Sequence, residues 1–272
     1  NGLVRKALFI VGPTAVGKTD LAFKISKITR SILISADSIQ VYRGADIISG
    51  KDKSFTTYLI DVLSLDQSFS VQDFVESVRS IVKKSQKEGR LPIIVGGTGF
   101  YIDALFGRID TLSIPPNKAL REKLEKLAIK ELQEKLKKLS PARFFKMNKS
   151  DINNERRLIR AIEVARVQGP TLGMSEPVFT PREVLIIGLR TSMDNLRKRI
   201  AERVDKRLKM GAIWEARRLF KNYKELSVQL KKASGYKELF DYLFGKISFE
   251  EARKKWIISD CQYAKRQMTW FK

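Results

Sequence analysis

The stretch that decides the fold lies near the start of the chain and reads Gly12-Pro13-Thr14-Ala15-Val16-Gly17-Lys18-Thr19. It fits the pattern G-x-x-x-x-G-K-[ST] and lies between an apolar run at 6–11, predicted as a strand, and a helically spaced segment at 20–28. Glycines let such a loop wrap around phosphate oxygens, and its N–H groups and the following helix start favour an anion. We therefore predict a di- or triphosphate site over 12–19, in which Lys18 neutralises the terminal phosphates and Thr19 binds Mg²⁺.

Strands and helices alternate on both sides of this loop. Apolar runs at 31–35 and 91–95 predict two further strands, and 71–88 predicts an amphipathic helix that Gly89 ends. This alternation is typical of a parallel, doubly wound α/β sheet.

The pattern changes at Pro115 and Pro116. Residues 117–169 look wholly helical and strongly charged, 170–181 form a connector, 183–189 predict one more strand, and 192–272 are helical again. The predicted fold class is α/β, with a P-loop NTPase-like parallel sheet core and C-terminal helices. We expect the first part of the core over 1–114, a helical insertion that binds RNA over 115–181, and a return to the core with basic helices over 182–272.

Composition excludes several kinds of chemistry. The 272 residues include no histidine and a single cysteine, so imidazole catalysis, histidine-based zinc sites and internal disulfides are excluded. No apolar run approaches the roughly 20 residues that a membrane span needs. We expect a cytoplasmic monomer that does not enter a membrane.

The net charge of +23 is unevenly distributed. Residues 1–116 carry +4, whereas 117–166 carry +8 and 191–272 carry +11. Such an excess is typical of a protein that binds a polyanion, although dispersed lysines on helices also serve simply as a solvated surface.

Asp37 is the strand-terminal acid nearest the phosphate loop in sequence. The third strand instead ends in Gly96-Gly97-Thr98, without a carboxylate. With no histidine available, Asp37 is the natural candidate for a general base. A metal-supporting role and a capping role for the segment that follows both remain open.

Five separated motifs together resemble the tRNA dimethylallyltransferase (tRNA isopentenyltransferase) family, nearly end to end and in the right order. After the phosphate loop these are DSIQVYRG at 37–44, VGGTGFY at 95–101, NERRLIRAIEV at 154–164, GYKEL at 235–239 and KRQMTWF at 265–271. The bacterial form is the most similar, because the zinc-finger tail of eukaryotic members is absent.

The resemblance implies that the loop holds the diphosphate of dimethylallyl diphosphate rather than ATP, with Mg²⁺ required. It implies transfer of the prenyl group to the exocyclic amine of the adenosine 3′ of the anticodon, in tRNAs that read codons beginning with U. A flipped-out base and single-stranded loop nucleotides would then be recognised. The catalytic candidates are Asp37, Thr14, Lys18 and Thr19.

The remaining candidates are binding residues. Lys237 is expected at the diphosphate together with residues 12–19. The expected contacts to the tRNA anticodon stem-loop are Asp37, Ser38, Ile39, Gln40, Thr98, Arg121, Arg156, Arg157, Arg160, Lys232, Lys265, Arg266 and Gln267. Arg156, Arg157 and Arg160 are interpreted as one phosphate-facing stripe, whereas Trp270 and Phe271 are expected in the core.

Two departures from the family pattern affect loops. A Pro-His-His stretch is replaced by Thr56-Thr57-Tyr58-Leu59, and a Gly-Thr-Ala-Lys-like segment by Ser49-Gly50-Lys51. The competing hypotheses are a P-loop kinase or NTPase, an adenylate isopentenyltransferase, and a non-enzymatic RNA-binding protein.

Overall fold

The computed structural model describes residues 6–109, 111, 112, 114–167 and 176–272. Residues 170–175, half of the connector predicted at 170–181, lie outside these residues. The chain divides into two compact units, one formed by 1–106 with 178–272 and the other by 107–177. The second unit therefore begins and ends earlier than the predicted insertion over 115–181.

The first half of the larger unit alternates strands and helices, as the sequence predicts. In chain order its elements are β1 (Ala7–Val11), α1 (Lys18–Ile28), β2 (Ser31–Ser35), β3 (Thr57–Tyr58), α2 (Val71–Lys87), β4 (Leu91–Gly96) and α3 (Gly99–Leu105). Helix α2 shows why the ends are sharp: Ser70 and Asp73 form a capping box at its start. Gly89 follows its end in a left-handed conformation that favours glycine.

The described part of the smaller unit contains five short helices. They are α4 (Lys118–Leu124), α5 (Ile129–Leu139), α6 (Pro141–Lys146), α7 (Lys149–Ile152) and α8 (Glu155–Arg166). The prediction that 117–169 is wholly helical is wrong in detail, because polar caps such as Asn117, Asn148 and Asn154 start new helices within it. Its apolar core includes Leu132 and Leu158.

The chain then returns to the larger unit. A short 3₁₀ turn at Pro181–Glu183 leads into β5 (Val184–Gly188), followed by α9 (Met193–Lys209), α10 (Ala212–Phe220), α11 (Val228–Lys232), α12 (Tyr236–Leu243) and α13 (Phe249–Trp270). None of the described helices is long and apolar enough to cross a membrane.

The five strands form one parallel sheet in the order β3-β2-β4-β1-β5. Strand β1 lies between β4 and β5, with Ile10 opposite Val95 on one side and Ile187 on the other. The β1 side chains are buried on both faces, as expected of a strand covered by helices on both sides. Because all strands are parallel, the loops after β1, β2 and β4 leave the sheet at the same edge.

Strand β3 and helix α3 are absent from the sequence prediction. The two residues of β3 are too few to show a period, and they pair only with Leu33 and Ile34 of β2. Helix α3 begins directly after Thr98 and has no acidic residue in its first turn and no basic residue in its last turn.

A buried carboxylate organises the smaller unit. The side chain of Glu163 is 2% exposed and accepts two hydrogen bonds from Arg121, each of 2.7 Å. The guanidinium of Arg160 donates to Glu163 and to the carbonyl oxygens of Thr111 and Ile114. Burial would raise the pKa of Glu163, but hydrogen bonds from Arg121, the Asn117 N–H and Arg160 hold it below its ordinary value.

We expect Glu163→Gln to destabilise the smaller unit by roughly 3 kcal/mol, since it leaves two guanidinium groups without their carboxylate. Glu134→Gln, an exposed change on α5, is the matched control. Because the folded-state pKa of Glu163 is depressed, its contribution is present above the ordinary carboxyl range and is lost as the pH falls below it. Hydrogen exchange of α4, α5 and α8 measures the effect; equal protection in both variants would contradict it.

Candidate active site

The phosphate loop has the backbone that its glycines predict. Gly12 has a φ of +142°, and a Cβ there would overlap the carbonyl oxygen of Leu189, just after β5. Gly17 has a φ of +100° and precedes α1 as its N-cap. Both positions therefore require glycine, and together they aim the loop at the first turn of α1.

Lys18 is folded back over its own loop. Its Nζ donates to the carbonyl oxygens of Gly12 at 2.9 Å and Pro13 at 2.7 Å. Burial and the nearby charge of Arg203 lower the pKa of Lys18 to about 8, although Asp37 opposes the shift. Among the described residues this half-buried ammonium donates to two neutral carbonyl oxygens, an arrangement that favours an incoming anion.

Two C-terminal helices hold the loop in place. Arg203 of α9 donates from Nη1 to the Thr14 hydroxyl at 2.6 Å and from Nη2 to Asp260 of α13 at 2.9 Å. Asp260 also accepts from Ser234 at 2.7 Å. The backbone N–H of Thr14 donates to Gln267 Oε1 at 2.7 Å. Thr14 is therefore fixed by both of its polar groups.

Apolar contacts complete this support. Ala15 and Val16 pack against a cluster formed by Leu196 and Ile200 of α9 and Ala264 of α13. Sequence reasoning did not identify Arg203 or Asp260, because a charged residue on an amphipathic helix usually faces solvent.

Asp37 follows β2 and lies at the same edge of the sheet. Its Oδ1 accepts from the backbone N–H groups of Ile39 at 2.8 Å and Gln40 at 3.3 Å. Among the described residues, Oδ2 has no hydrogen-bond partner. Asp37 thus caps the segment that follows, and this cap orients a second carboxylate oxygen that remains available for chemistry.

The segment after Asp37 is held by its own hydrogen bonds. The amide of Gln40 accepts from the Ser35 hydroxyl at 2.8 Å and donates to the carbonyl oxygen of Gly50 at 3.4 Å. Ser38 and Ile39 are half-buried. Gln40 therefore positions this segment, and its predicted contact with tRNA remains a prediction.

Aromatic side chains border the carboxylate. Burial, followed by the charge of Asp37, raises the pKa of Tyr263 to about 12. The Tyr263 hydroxyl lies 3.4 Å from the Thr98 hydroxyl. Tyr101 stacks on Phe74 with ring centroids 4.2 Å apart, so it packs in the core. Thr98 is the N-cap residue of α3, but its side chain makes no capping hydrogen bond.

The predicted binding residues of α11, α12 and α13 differ in exposure. Lys232, Lys237, Lys265 and Arg266 are exposed, and Lys237 forms no hydrogen bond or ion pair with the described phosphate loop. Gln267 is instead buried, and its side chain accepts from the backbone N–H of Thr14; its predicted contact with tRNA stays a prediction.

The end of α13 forms an open groove on the larger unit. Its lining consists of Gln262, Lys265, Arg266, Thr269 and Trp270. Trp270 is 51% exposed, so it lies outside the core where it was expected. Its ring lies over Gly99, and its Nε1 donates to Asp103.

The arginine stripe predicted on α8 is only partly present. Arg156 and Arg157 are exposed, and Arg157 pairs with Asp151. Arg160 instead turns inward to Glu163 and backbone carbonyls, and Arg121 shares the same carboxylate. The two inward arginines have a structural role in the smaller unit; tRNA contact by any of the four stays a prediction.

The site offers oxygen atoms that suit Mg²⁺. Among the described residues, the Thr19 hydroxyl and Asp37 Oδ2 have no hydrogen-bond partner, and no cluster of three or more acidic, histidine or cysteine side chains is arranged for a metal. Mg²⁺ commonly uses one or two protein oxygens and completes its shell with phosphates and water. The donor set therefore fits a Mg²⁺ ion that arrives with a diphosphate.

The family model for IPP transferase matches residues 40–272. The chain belongs to this family. A tRNA dimethylallyltransferase of Ligilactobacillus salivarius is 39% identical, over 99% of this chain and 91% of that protein. The crystal structure of the full-length tRNA isopentenylpyrophosphate transferase of Bacillus halodurans is 36% identical with a TM-score of 0.71, over 98% of this chain and 87% of that one.

A eukaryotic dimethylallyltransferase described as acting on tRNA is also similar. It is 25% identical with a TM-score of 0.82, and the alignment covers 98% of this chain and 70% of that chain. These comparisons confirm the predicted family and its P-loop NTPase-like fold.

The lowered pKa of Lys18 predicts how anion binding depends on pH. The ammonium is charged below about pH 8, so affinity for inorganic pyrophosphate should be full there and fall by up to about tenfold per pH unit above it. Lys18→Arg keeps its charge throughout and controls for ionisation of pyrophosphate itself. Calorimetric titrations from pH 7 to 10 measure the effect; the same profile in both proteins would refute it.

Proposed function

We propose that this chain is a tRNA dimethylallyltransferase. It transfers the dimethylallyl group of dimethylallyl diphosphate to the exocyclic N6 amine of the adenosine 3′ of the anticodon, in tRNAs that read codons beginning with U. Its family membership supports the reaction class. The observation that carries the proposal is the pairing of a cationic phosphate loop with Asp37, whose Oδ2 has no hydrogen-bond partner in the part of the chain that the structure describes.

The residues of the site match the requirements of this reaction. The bond from N6 to the prenyl carbon forms while the bond from that carbon to the diphosphate oxygen breaks. The adenine amine loses one proton, which Asp37 Oδ2 accepts. The leaving diphosphate gathers charge at the loop, where Lys18 and the N–H groups at the start of α1 stabilise it.

Thr14 has a positioning role in this proposal. Its hydroxyl accepts from Arg203 and its N–H donates to Gln267, so it joins the loop to α9 and α13. Thr19 would hold Mg²⁺ together with the diphosphate, and the ion would then neutralise part of the developing charge.

The tRNA would be bound by exposed cations and by the segment after Asp37. Ser38 and Ile39 directly follow Asp37, the carboxylate that accepts the proton. Lys265 and Arg266 line the groove at the end of α13. Arg156 and Arg157 contribute from the smaller unit. The target base must leave the stacked anticodon loop for its amine to reach Asp37.

We expect Asp37→Asn to lower kcat by roughly 10²- to 10⁴-fold, because the amide cannot accept the proton. Binding of the tRNA anticodon stem-loop should change little. Asp66→Asn, in an exposed loop, is the control. Labelled dimethylallyl diphosphate is supplied with tRNA, with AMP or alone. Near-normal transfer by Asp37→Asn would refute the base; transfer to AMP alone would refute the tRNA substrate.

We expect Arg156→Ala to weaken tRNA binding and to lower the slope of log affinity against log salt by about 1. Arg156 is exposed and forms no ion pair among the described residues. Lys83→Ala, exposed on α2, removes the same charge elsewhere and should leave the slope unchanged. Filter binding at several salt concentrations measures the slope. Equal slopes in the two variants would remove Arg156 from the interface.

A further inference from the structure

Arg207 is a cation to which the proposed reaction assigns no role. It lies on α9 one turn after Arg203, so the two side chains share a face of the helix. It is half-buried and forms no hydrogen bond or ion pair with the described residues. A guanidinium has five N–H donors, and leaving them unpaired in a half-buried place is costly.

The guanidinium of Arg207 occupies a gap that Gly50 leaves open. A Cβ at Gly50 would overlap Nη2 of Arg207 and would lie 2.7 Å from its Cζ. Any side chain at position 50 would therefore displace the arginine. Gly50 also has a φ of +69°, which favours glycine independently.

The segment that carries Gly50 is fixed. The buried carboxylate of Glu215 accepts from the backbone N–H groups of Asp46, Ile47 and Ile48, at distances of 2.6–3.1 Å. Just after Gly50, the buried ammonium of Lys51 pairs with Asp46 and Asp61. The gap over Gly50 is thus held from both sides.

Arg207 belongs to the same group of charges as the phosphate loop. Burial and the charge of Arg203 lower the pKa of Arg207 to about 10, while Asp260 and Asp37 oppose the shift. The charge of Arg203 also lowers the pKa of Lys18, and the charge of Asp37 also opposes that shift. Three cations therefore face two carboxylates, and Asp260 already accepts from Arg203 and Ser234.

We infer that Arg207, admitted by the missing side chain of Gly50, is a further ligand of the diphosphate group at the phosphate loop. The planar fork of a guanidinium matches two phosphate oxygens, and an arriving diphosphate supplies the negative charge that the group lacks. The inference rests on the proposed function for the identity of the donor. The anion site itself depends on the charges and the gap alone.

The first test measures binding of inorganic pyrophosphate without tRNA. We expect Arg207→Gln to weaken it about 10- to 100-fold, the range of a hydrogen bond to a charged group, and Arg207→Lys to recover part of the loss. Arg199→Gln, exposed on the same helix, should bind as the unaltered protein does. Unchanged affinity in Arg207→Gln would overturn the inference, even if the unaltered chain prenylates tRNA.

The second test uses the gap. Gly50→Ala should weaken pyrophosphate binding to a similar extent, but should add little in the Arg207→Gln background. Gly44→Ala is the matched control. Gly44 has a φ of +77°, and a Cβ there would lie 3.0 Å from Nη1 of Arg218. Additive losses from Gly50→Ala and Arg207→Gln would show that the alanine acts by backbone strain and would contradict the shared mechanism.

Two further readouts separate ligand binding from structure and from tRNA binding. The apparent KM for the donor should rise in Arg207→Gln while the KM for tRNA stays constant; the reverse would place Arg207 at the RNA and overturn the inference. Without ligand, Arg207→Gln should melt no lower than the unaltered protein, because it removes an unpaired charge. A lower melting temperature with unchanged pyrophosphate affinity would indicate a structural role only.

Discussion

The guanidinium of Arg203 joins the phosphate loop to the rest of the larger unit. One of its nitrogens donates to Thr14 and another to Asp260, so the sheet edge, α9 and α13 meet at one side chain. The loop backbone by itself provides only glycine-permitted turns after β1. Its position relative to Asp37 depends on helices that begin more than 170 residues later. Arg203 is consequently both a structural tie and part of the positive charge that surrounds Lys18.

Charged side chains are arranged differently in the smaller unit and at the phosphate loop of the larger unit. In the smaller unit, Arg121 and Arg160 both donate hydrogen bonds to the carboxylate of Glu163, and both stabilise the fold. At the phosphate loop, carboxylates are fewer than cations, and burial together with the charge of Arg203 lowers the pKa values of Lys18 and Arg207. The first arrangement stabilises a helix cluster, whereas the second favours an external anion. The same residue types therefore serve different purposes according to how many carboxylates accompany them.

Local sequence patterns predicted the phosphate loop, four of the strands and Asp37 at the sheet edge, because each depends on neighbours along the chain. The two-residue β3 escaped prediction, since it exists only by pairing with β2. Arg203 escaped for a related reason: its partner Thr14 lies 189 positions away. Gln267 and Trp270 show the same limit, because a helical pattern does not reveal which side chain lies against a glycine of another element. Long-range packing thus decided the details that the motifs left open.

The surplus of positive charge beside the loop also affects the local stability of the C-terminal helices. Mutual repulsion among Lys18, Arg203 and Arg207 opposes the close approach of α9 to the sheet edge. A bound diphosphate would offset that repulsion, so ligand binding and packing of α9 against the sheet edge would be thermodynamically linked. Substrate supply would then act as a folding aid, protecting α9 and α13 from local opening and from proteases while the donor is abundant.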